Sequence, residues 1–323
     1  MAAYRPPTGK LPVLQSSQTT LRSSVTTTGV GLHSGRPVRM TMRPAAANTG
    51  IIFHRTDIGG RNGDVVARFD NVHSTKLSTC MRNAAGTEVC TVEHVMAALY
   101  GLGVDNVLIE LDGKEAPIKD GSALPFVDMI LKAGILDLGV VRRAMRIRRS
   151  VKVSDGNKSA ALHPHAGFRV RCEIDFDAEV ISRQVKDVEL SVPGAFATQV
   201  ADARTFVRKS DIDMLQKNGL GLGGSLDNAV VVDGDRILNP DGLRTADEFV
   251  RHKALDVVGD LSLAGYPILG RFDGVRMGHA LNNRLLTALF EQPDAYEIVT
   301  LGRRVTEKAG DRRLATAAAA AAF

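Results

Sequence analysis

One stretch constrains this chain more than any other: Asp247-Glu248-Phe249-Val250-Arg251-His252-Lys253-Ala254-Leu255-Asp256-Val257-Val258-Gly259-Asp260-Leu261. A helix turning about 100° per residue gathers Val250, Ala254, Val257, Val258 and Leu261 on one apolar face. His252, Asp256 and Asp260 follow at i, i+4 and i+8, which stacks them in a polar stripe on roughly the opposite side. Such a stripe is ordinarily the solvated face of a surface helix. It is also a place where an imidazole and a carboxylate one turn apart can grip one metal ion. What decides between the two readings is what the rest of the chain brings beside the stripe.

The chain has 323 residues, enough for two domains of ordinary size. It has no tryptophan and four tyrosines, which argues against an aromatic base-stacking surface. Its net charge of +5 is spread along the chain apart from the Arg142–Arg149 cluster. No nucleic-acid partner is expected, while an anionic small substrate fits. Cys80, Cys90 and Cys172 are odd in number and lack CxxC spacing, so neither a disulfide framework nor a cysteine zinc knuckle is expected. No apolar run reaches the roughly 18 residues of a membrane span, and the Thr-, Ser- and Pro-rich start lacks the apolar region of a signal peptide.

In chain order, residues 1–18 read as a flexible arm and the alanine-rich residues 308–323 as a frayed tail. Val25–Thr28, Val38–Arg43, Ile51–Arg55 and Val107–Leu111 read as strands. Thr91 suits the N-cap of a helix opening at Glu93-His94, and a second helix follows over Pro125–Ala133. A boundary near Asp137–Arg143 then separates residues 19–140 from residues 141–307. In the second part, Met145–Val153, Ser159–His163, Phe168–Ile174 and Asn228–Val232 read as strands. Asp202–Asn218, the central stretch and Leu281–Phe290 read as helices. Strands followed by helices, twice over, predict an α+β fold of two similar domains rather than a doubly wound sheet.

Several motifs could carry chemistry. His33 lies in the glycine-rich Gly29–Gly35 turn, where an imidazole serves either the reaction or the turn itself. Glu93-His94 pairs a metal donor with a carboxylate able to take a proton from water; equally, a glutamate at a helix N-terminus complements the helix dipole. Gly278-His279 is a further histidine before a helix. Gly219-Leu220-Gly221-Leu222-Gly223-Gly224 spells GxGxxG, but it follows a helix and precedes a strand, so it reads as a tightly packed loop and not a dinucleotide site. A catalytic zinc takes three protein donors and leaves a fourth position open. His94, His252 and Asp256 supply two nitrogens and one oxygen, and Asp260 could orient another imidazole from behind.

Together these motifs resemble the UDP-3-O-acyl-N-acetylglucosamine deacetylases of lipid A biosynthesis. The resemblance runs through Thr28–Gly35, Thr91–His94, Met96–Leu99, Asp120–Ala123, Ala203–Phe206, Leu222–Ser225, Phe249–Asp256, Gly259–Leu261 and Gly278–Asn283, across residues 19–300. It implies a cytoplasmic, zinc-dependent amidohydrolase with its active site between two α+β domains, cleaving the N-acetyl group of an acylated nucleotide sugar in the committed step of the pathway. The implied metal ligands are His94, His252 and Asp256, with Glu93 the general base. The resemblance further implies that His279 is a cationic stabiliser or acid oriented by Asp260, that Thr205 supports the oxyanion, and that Lys253 lies near the leaving or nucleotide end. Lys158 is the implied diphosphate contact; Leu32, Phe206 and the Leu220–Gly224 loop, Gly221 included, border the acyl passage. Some relatives carry a bulkier residue in place of Gly221, and a cysteine in place of Ser78. Either Glu93 or His279 could protonate the departing amine.

Zinc is the expected cofactor, and iron(II) suits a His₂Asp donor set equally. The expected partner is the acylated nucleotide sugar, met by a monomer that touches the inner membrane surface only transiently. Two rivals remain: an amidohydrolase of another acylated substrate, and a catalytically silent binder of nucleotide sugars. An intact Glu93 and His279 beside three metal donors argue against the second.

Overall fold

Pro37–Pro44 alternates as its sequence predicts, with Val38, Met40 and Met42 buried between exposed Arg39 and Arg43. In the structure, a computed structural model that describes residues 15–302, this strand lies inside a five-stranded sheet. The order is Val25–Val30, Pro37–Pro44, Val107–Leu111, Ile51–Arg55, Asp64–Val66. Val107–Leu111 runs antiparallel to Pro37–Pro44 and parallel to Ile51–Arg55. Helices α1 (Glu93–Gly101) and α2 (Leu124–Ala133) belong to this half, and Phe126, Val127 and Ile130 of α2 join Met40, Met42 and Ile109 in the core.

The second half holds a seven-stranded sheet centred on Ile268–Val275. That strand pairs antiparallel with Lys158–His163 on one side, and parallel with Arg143–Ile147 and then Phe168–Asp175 on the other. Among the described residues four helices complete this half: α3 (Ala195–Gln199), α4 (Lys209–Lys217), α5 (Glu248–Ser262) and α6 (His279–Phe290). Sheets packed with helices in both halves make the fold α+β. Among the described residues no helix is long and apolar enough to cross a membrane.

The central stretch is α5, but it has no solvated face. Of its 15 residues only Lys253 is not buried. The helix can be enclosed because several of its charged side chains meet partners far off in the sequence. Glu248 accepts from buried Arg204 at 2.8 Å, and Arg251 donates to Gln199 O and Asp202, both at 2.5 Å. Paired in this way, charges can be buried that would otherwise hold the helix at the surface.

Other expectations need correction. Asp202–Asn218 is not one helix: Phe206–Arg208 is a strand parallel to Val230–Asp233, and the helix starts at Lys209. The ring of Phe206 packs edge-on against Phe176 and Phe249, and this tertiary contact overrides local helix preference. Met145–Val153 is divided between Arg143–Ile147 and Val151–Asp155. Thr91 does not cap α1; its backbone is left-handed (φ 55°) and its hydroxyl donates to Glu115 at 2.9 Å. Cys80 and Cys90 are joined by a disulfide, because the register Met81↔Val89 sets them directly opposite on adjacent strands. Ser17 and Gln18, assigned to the arm, already belong to the buried strand Ser17–Leu21. Residues 1–14 of the arm and the whole 308–323 tail lie outside the described residues.

Candidate active site

The site begins where α1 meets α5. At Gly259 a Cβ would stand 2.1 Å from the carbonyl oxygen of Glu93, so only glycine lets the two helix backbones come this close. The contact sets the first turn of α1, with Glu93 and His94, against the middle of α5, with His252, Asp256 and Asp260. His279, the first residue of α6, closes the third side.

His94, His252 and Asp256 are all buried, and one donor atom from each lies within 4.8 Å of the others. Asp256 Oδ1 is 3.4 Å from His252 Nε2 and 3.8 Å from His94 Nε2, and it has no hydrogen-bond partner. A buried carboxylate oxygen without a donor is costly unless a cation completes it. His252 Nδ1 donates to Ala203 O at 3.0 Å, which directs the Nε2 lone pair toward Asp256. Burial, then neighbouring His252, holds His94 down at about 3, so it is neutral and able to ligate. Burial opposes the charge on Asp256, but His252 and Lys253 outweigh it and keep the carboxylate ionised. The donor set therefore fits a divalent metal ion. Lys253 Nζ donates to the outer oxygen, Asp256 Oδ2, at 2.9 Å and lies over the Phe206 ring.

Glu93 does not join that donor group. Burial, opposed by His279 and reinforced by Asp256 and Asp260, pushes its carboxyl up to about 7, a suitable value for a base working near neutrality. His279 behaves oppositely. Burial works against its charge, yet Asp260, then Asp256 and Glu93, push it up to about 10. Its Nδ1 donates to Asp260 Oδ2 at 2.9 Å, and Asn282 Nδ2 donates to the same oxygen at 2.8 Å. One carboxyl near neutrality thus shares the cleft with an imidazole held cationic up to about 10.

These groups line a cleft of about 350 Å³. Thr205, Lys253, Lys158, Leu32 and Phe206 also stand on its wall. The Thr205 backbone is fixed by donating to Gly121 O at 2.8 Å, where a side chain on Gly121 would strike Asn228 O at 2.0 Å. Gly221 is not on this wall. It sits in the loop after α4 with φ 68°. That loop docks on the Gly29–Gly35 turn through Leu222 N to His33 O (3.2 Å) and Gly223 N to Leu32 O (2.9 Å). His33 is not on the wall either, and burial lowers its pKa.

Sequence reasoning missed two residues here. Thr79 bonds both Glu93 and Asp260, and no local pattern marks it. Asn282 could have been found from its place one turn after His279.

The sequence matches the family model described as UDP-3-O-acyl N-acetylglycosamine deacetylase over residues 18–291. Similar curated proteins bear the name UDP-3-O-acyl-N-acetylglucosamine deacetylase. One from Phenylobacterium zucineum is 48% identical over 290 residues, covering 90% of this chain and 99% of that protein. One from Pasteurella multocida is 49% identical over 286 residues, covering 88% and 93%. One from Idiomarina loihiensis is 49% identical over 284 residues, covering 88% and 92%.

Proposed function

The chain belongs to the UDP-3-O-acyl-N-acetylglucosamine deacetylase family, and from that premise we propose that it hydrolyses the N-acetyl group of UDP-3-O-(3-hydroxyacyl)-N-acetylglucosamine. The products are acetate and the free amine, and the step commits the sugar to lipid A. The carrying observation is the convergence of His94, His252 and Asp256 in one cleft whose wall also carries Glu93 and His279.

In this reading His94, His252 and Asp256 hold zinc, with iron(II) the alternative occupant of the same donors. When bound, the ion supplies Lewis-acid polarisation of the acetamide carbonyl and a more acidic attacking water. Glu93 accepts the proton of that water, for which a carboxyl near 7 is suited. The Thr205 side chain steadies the oxygen on which charge develops. His279, cationic up to about 10, keeps a proton for the departing amine and adds positive charge beside the reacting carbon. Asp260 fixes the imidazole through Nδ1, leaving Nε2 for the cleft. Lys158 is the contact for the diphosphate, and Leu32 and Phe206 guide the acyl chain. Lys253 holds the outer oxygen of Asp256 and lies near the nucleotide end. The two domains, 19–140 and 141–307, then each contribute catalytic groups. The enzyme works as a cytoplasmic monomer that touches the inner membrane surface only transiently.

The test is metal analysis of purified protein together with acetate release from the acylated nucleotide sugar and from its analogue lacking the 3-O-acyl chain. Metal-dependent release favouring the acylated substrate is expected. Equal turnover of both would indicate a different amidohydrolase. Tight binding of the sugar with no acetate from metal-loaded protein would indicate a silent binder and overturn the reading.

A further inference from the structure

Thr79 is 2% exposed, between a turn in which Leu77 takes φ 67° and the strand Cys80–Arg82. Its two donors point to two different carboxylates. The backbone N–H donates to Glu93 Oε2 at 3.1 Å, and the hydroxyl donates to Asp260 Oδ1 at 2.6 Å. The second is short, as expected for a hydroxyl on a charged oxygen. Asp260 Oδ2 is already shared by Asn282 and His279, so Thr79 is the donor seen on the other oxygen. Without it Oδ1 would be buried and unpaired, and the carboxylate would be free to rotate with the imidazole it holds.

The anchor is itself firmly held. Cys80, the next residue, pairs across the sheet with Ser74 and is bonded to Cys90, three residues before Glu93. The segment carrying Thr79 and the segment carrying the base are therefore tied to one another covalently. From this geometry we infer that Thr79 is a positioning residue: it fixes the Glu93 carboxylate and the Asp260–His279 pair in one frame, acting through both and touching no substrate. The inference deepens the deacetylase reading and rests on it.

Thr79→Val keeps the volume and the backbone N–H and removes the hydroxyl, whereas Thr79→Ser keeps both donors. With zinc-loaded full-length enzyme and the acylated nucleotide sugar, Thr79→Val should lower kcat by about 10- to 100-fold, the range for losing one hydrogen bond to a charged group. KM should stay within about twofold, since no ground-state contact is lost. Bound metal should be unchanged, and Thr79→Ser should recover most of the activity. On an Asp260→Ala background the Thr79→Val effect should largely vanish, because Asp260→Ala already removes the acceptor of the Thr79 hydroxyl. Thr79→Ala provides the same comparison should the valine variant not fold. A purely structural threonine would lower thermal stability in Thr79→Val while leaving kcat per metal-loaded enzyme intact, and that result overturns the inference. So does an undiminished effect on the Asp260→Ala background, or a loss of bound metal. If the wild-type enzyme releases no acetate at all, the deacetylase reading itself falls, an outcome plainly distinct from an active enzyme indifferent to Thr79.

Discussion

Asp260 and His279 face one another between α5 and α6, with Oδ2 2.9 Å from Nδ1, and neither side chain is open to solvent. Burial opposes the imidazolium and Asp260 is the foremost group that overcomes it. His279 therefore stays charged below about 10 and loses its proton as the pH rises through that value. If turnover requires the charged form, the basic limb of kcat/KM lies far above neutrality. Asp260→Asn removes the carboxylate's charge and leaves burial unopposed by it, so the limb should move down by roughly 1–3 pH units. Bound metal should not change. A limb that stays in place in Asp260→Asn while disappearing in His279→Gln would separate the acid from its supposed partner.

Ligand loss should differ from base loss. Asp256→Ala removes one of three buried donors and should lower metal content at fixed free zinc. Glu93→Ala should keep its metal and lose turnover by at least about 100-fold. Elemental analysis alongside acetate release reads both, and equal metal loss in the two variants would make Glu93 a ligand.

Gly259→Ala tests the helix contact. The new methyl would stand 2.1 Å from the Glu93 carbonyl oxygen, so α1 and α5 must part. A stability loss of roughly 1–3 kcal/mol is expected from overpacking. Metal affinity should fall with it, because His94 is on one helix and His252 and Asp256 are on the other. Denaturant titration with and without zinc measures both.

Acyl-chain selectivity should respond at Leu32 rather than at Gly221. Leu32→Ala removes apolar surface from the cleft wall and should penalise long chains more than short ones, at up to about 0.8 kcal/mol per methylene no longer buried. Gly221→Leu forces a branched side chain into φ 68° off that wall, so its loss should be equal at every chain length. A kcat/KM series across acyl lengths distinguishes the two patterns.

The cysteine pair makes a counting prediction. Denatured without reductant, the chain should offer one reactive thiol, Cys172; with reductant, all three cysteines should react. Cys90→Ser should cost roughly 2–3 kcal/mol in the oxidised protein, the loop-closure value for a short bridge.

His94 on α1 was marked only by its pairing with Glu93, whereas His252, Asp256 and Asp260 were legible because they repeat at helical spacing, a signal confined to one element. The depth at which α5 lies was not, since a polar stripe reads as solvated until Arg204, Asp202 and Thr79 are known to meet it. Thr79 was invisible for the same reason: its two partners are 14 and 181 residues away in the chain. The Cys80–Cys90 bond depends on strand register, which two isolated cysteines do not encode. Phe206 was misread as helical because the aromatic rings that draw it into a strand come from Phe176 and Phe249, far off in sequence.

The approach permitted at Gly259 also governs when, in the life of each molecule, catalysis can begin. Glu93 and His94 leave the ribosome well before His252, Asp256 and His279, and a growing chain folds its leading half first. That half alone supplies one of the three donors, His94, and a proton acceptor, Glu93, but neither of the other two donors. Competence does not accumulate with length; it arrives when α5 and the start of α6 are complete and settle against α1. A copy cut short at any point before His279 is therefore expected to be silent rather than partly active, so an enzyme at a committed step leaves no deregulated fragments behind.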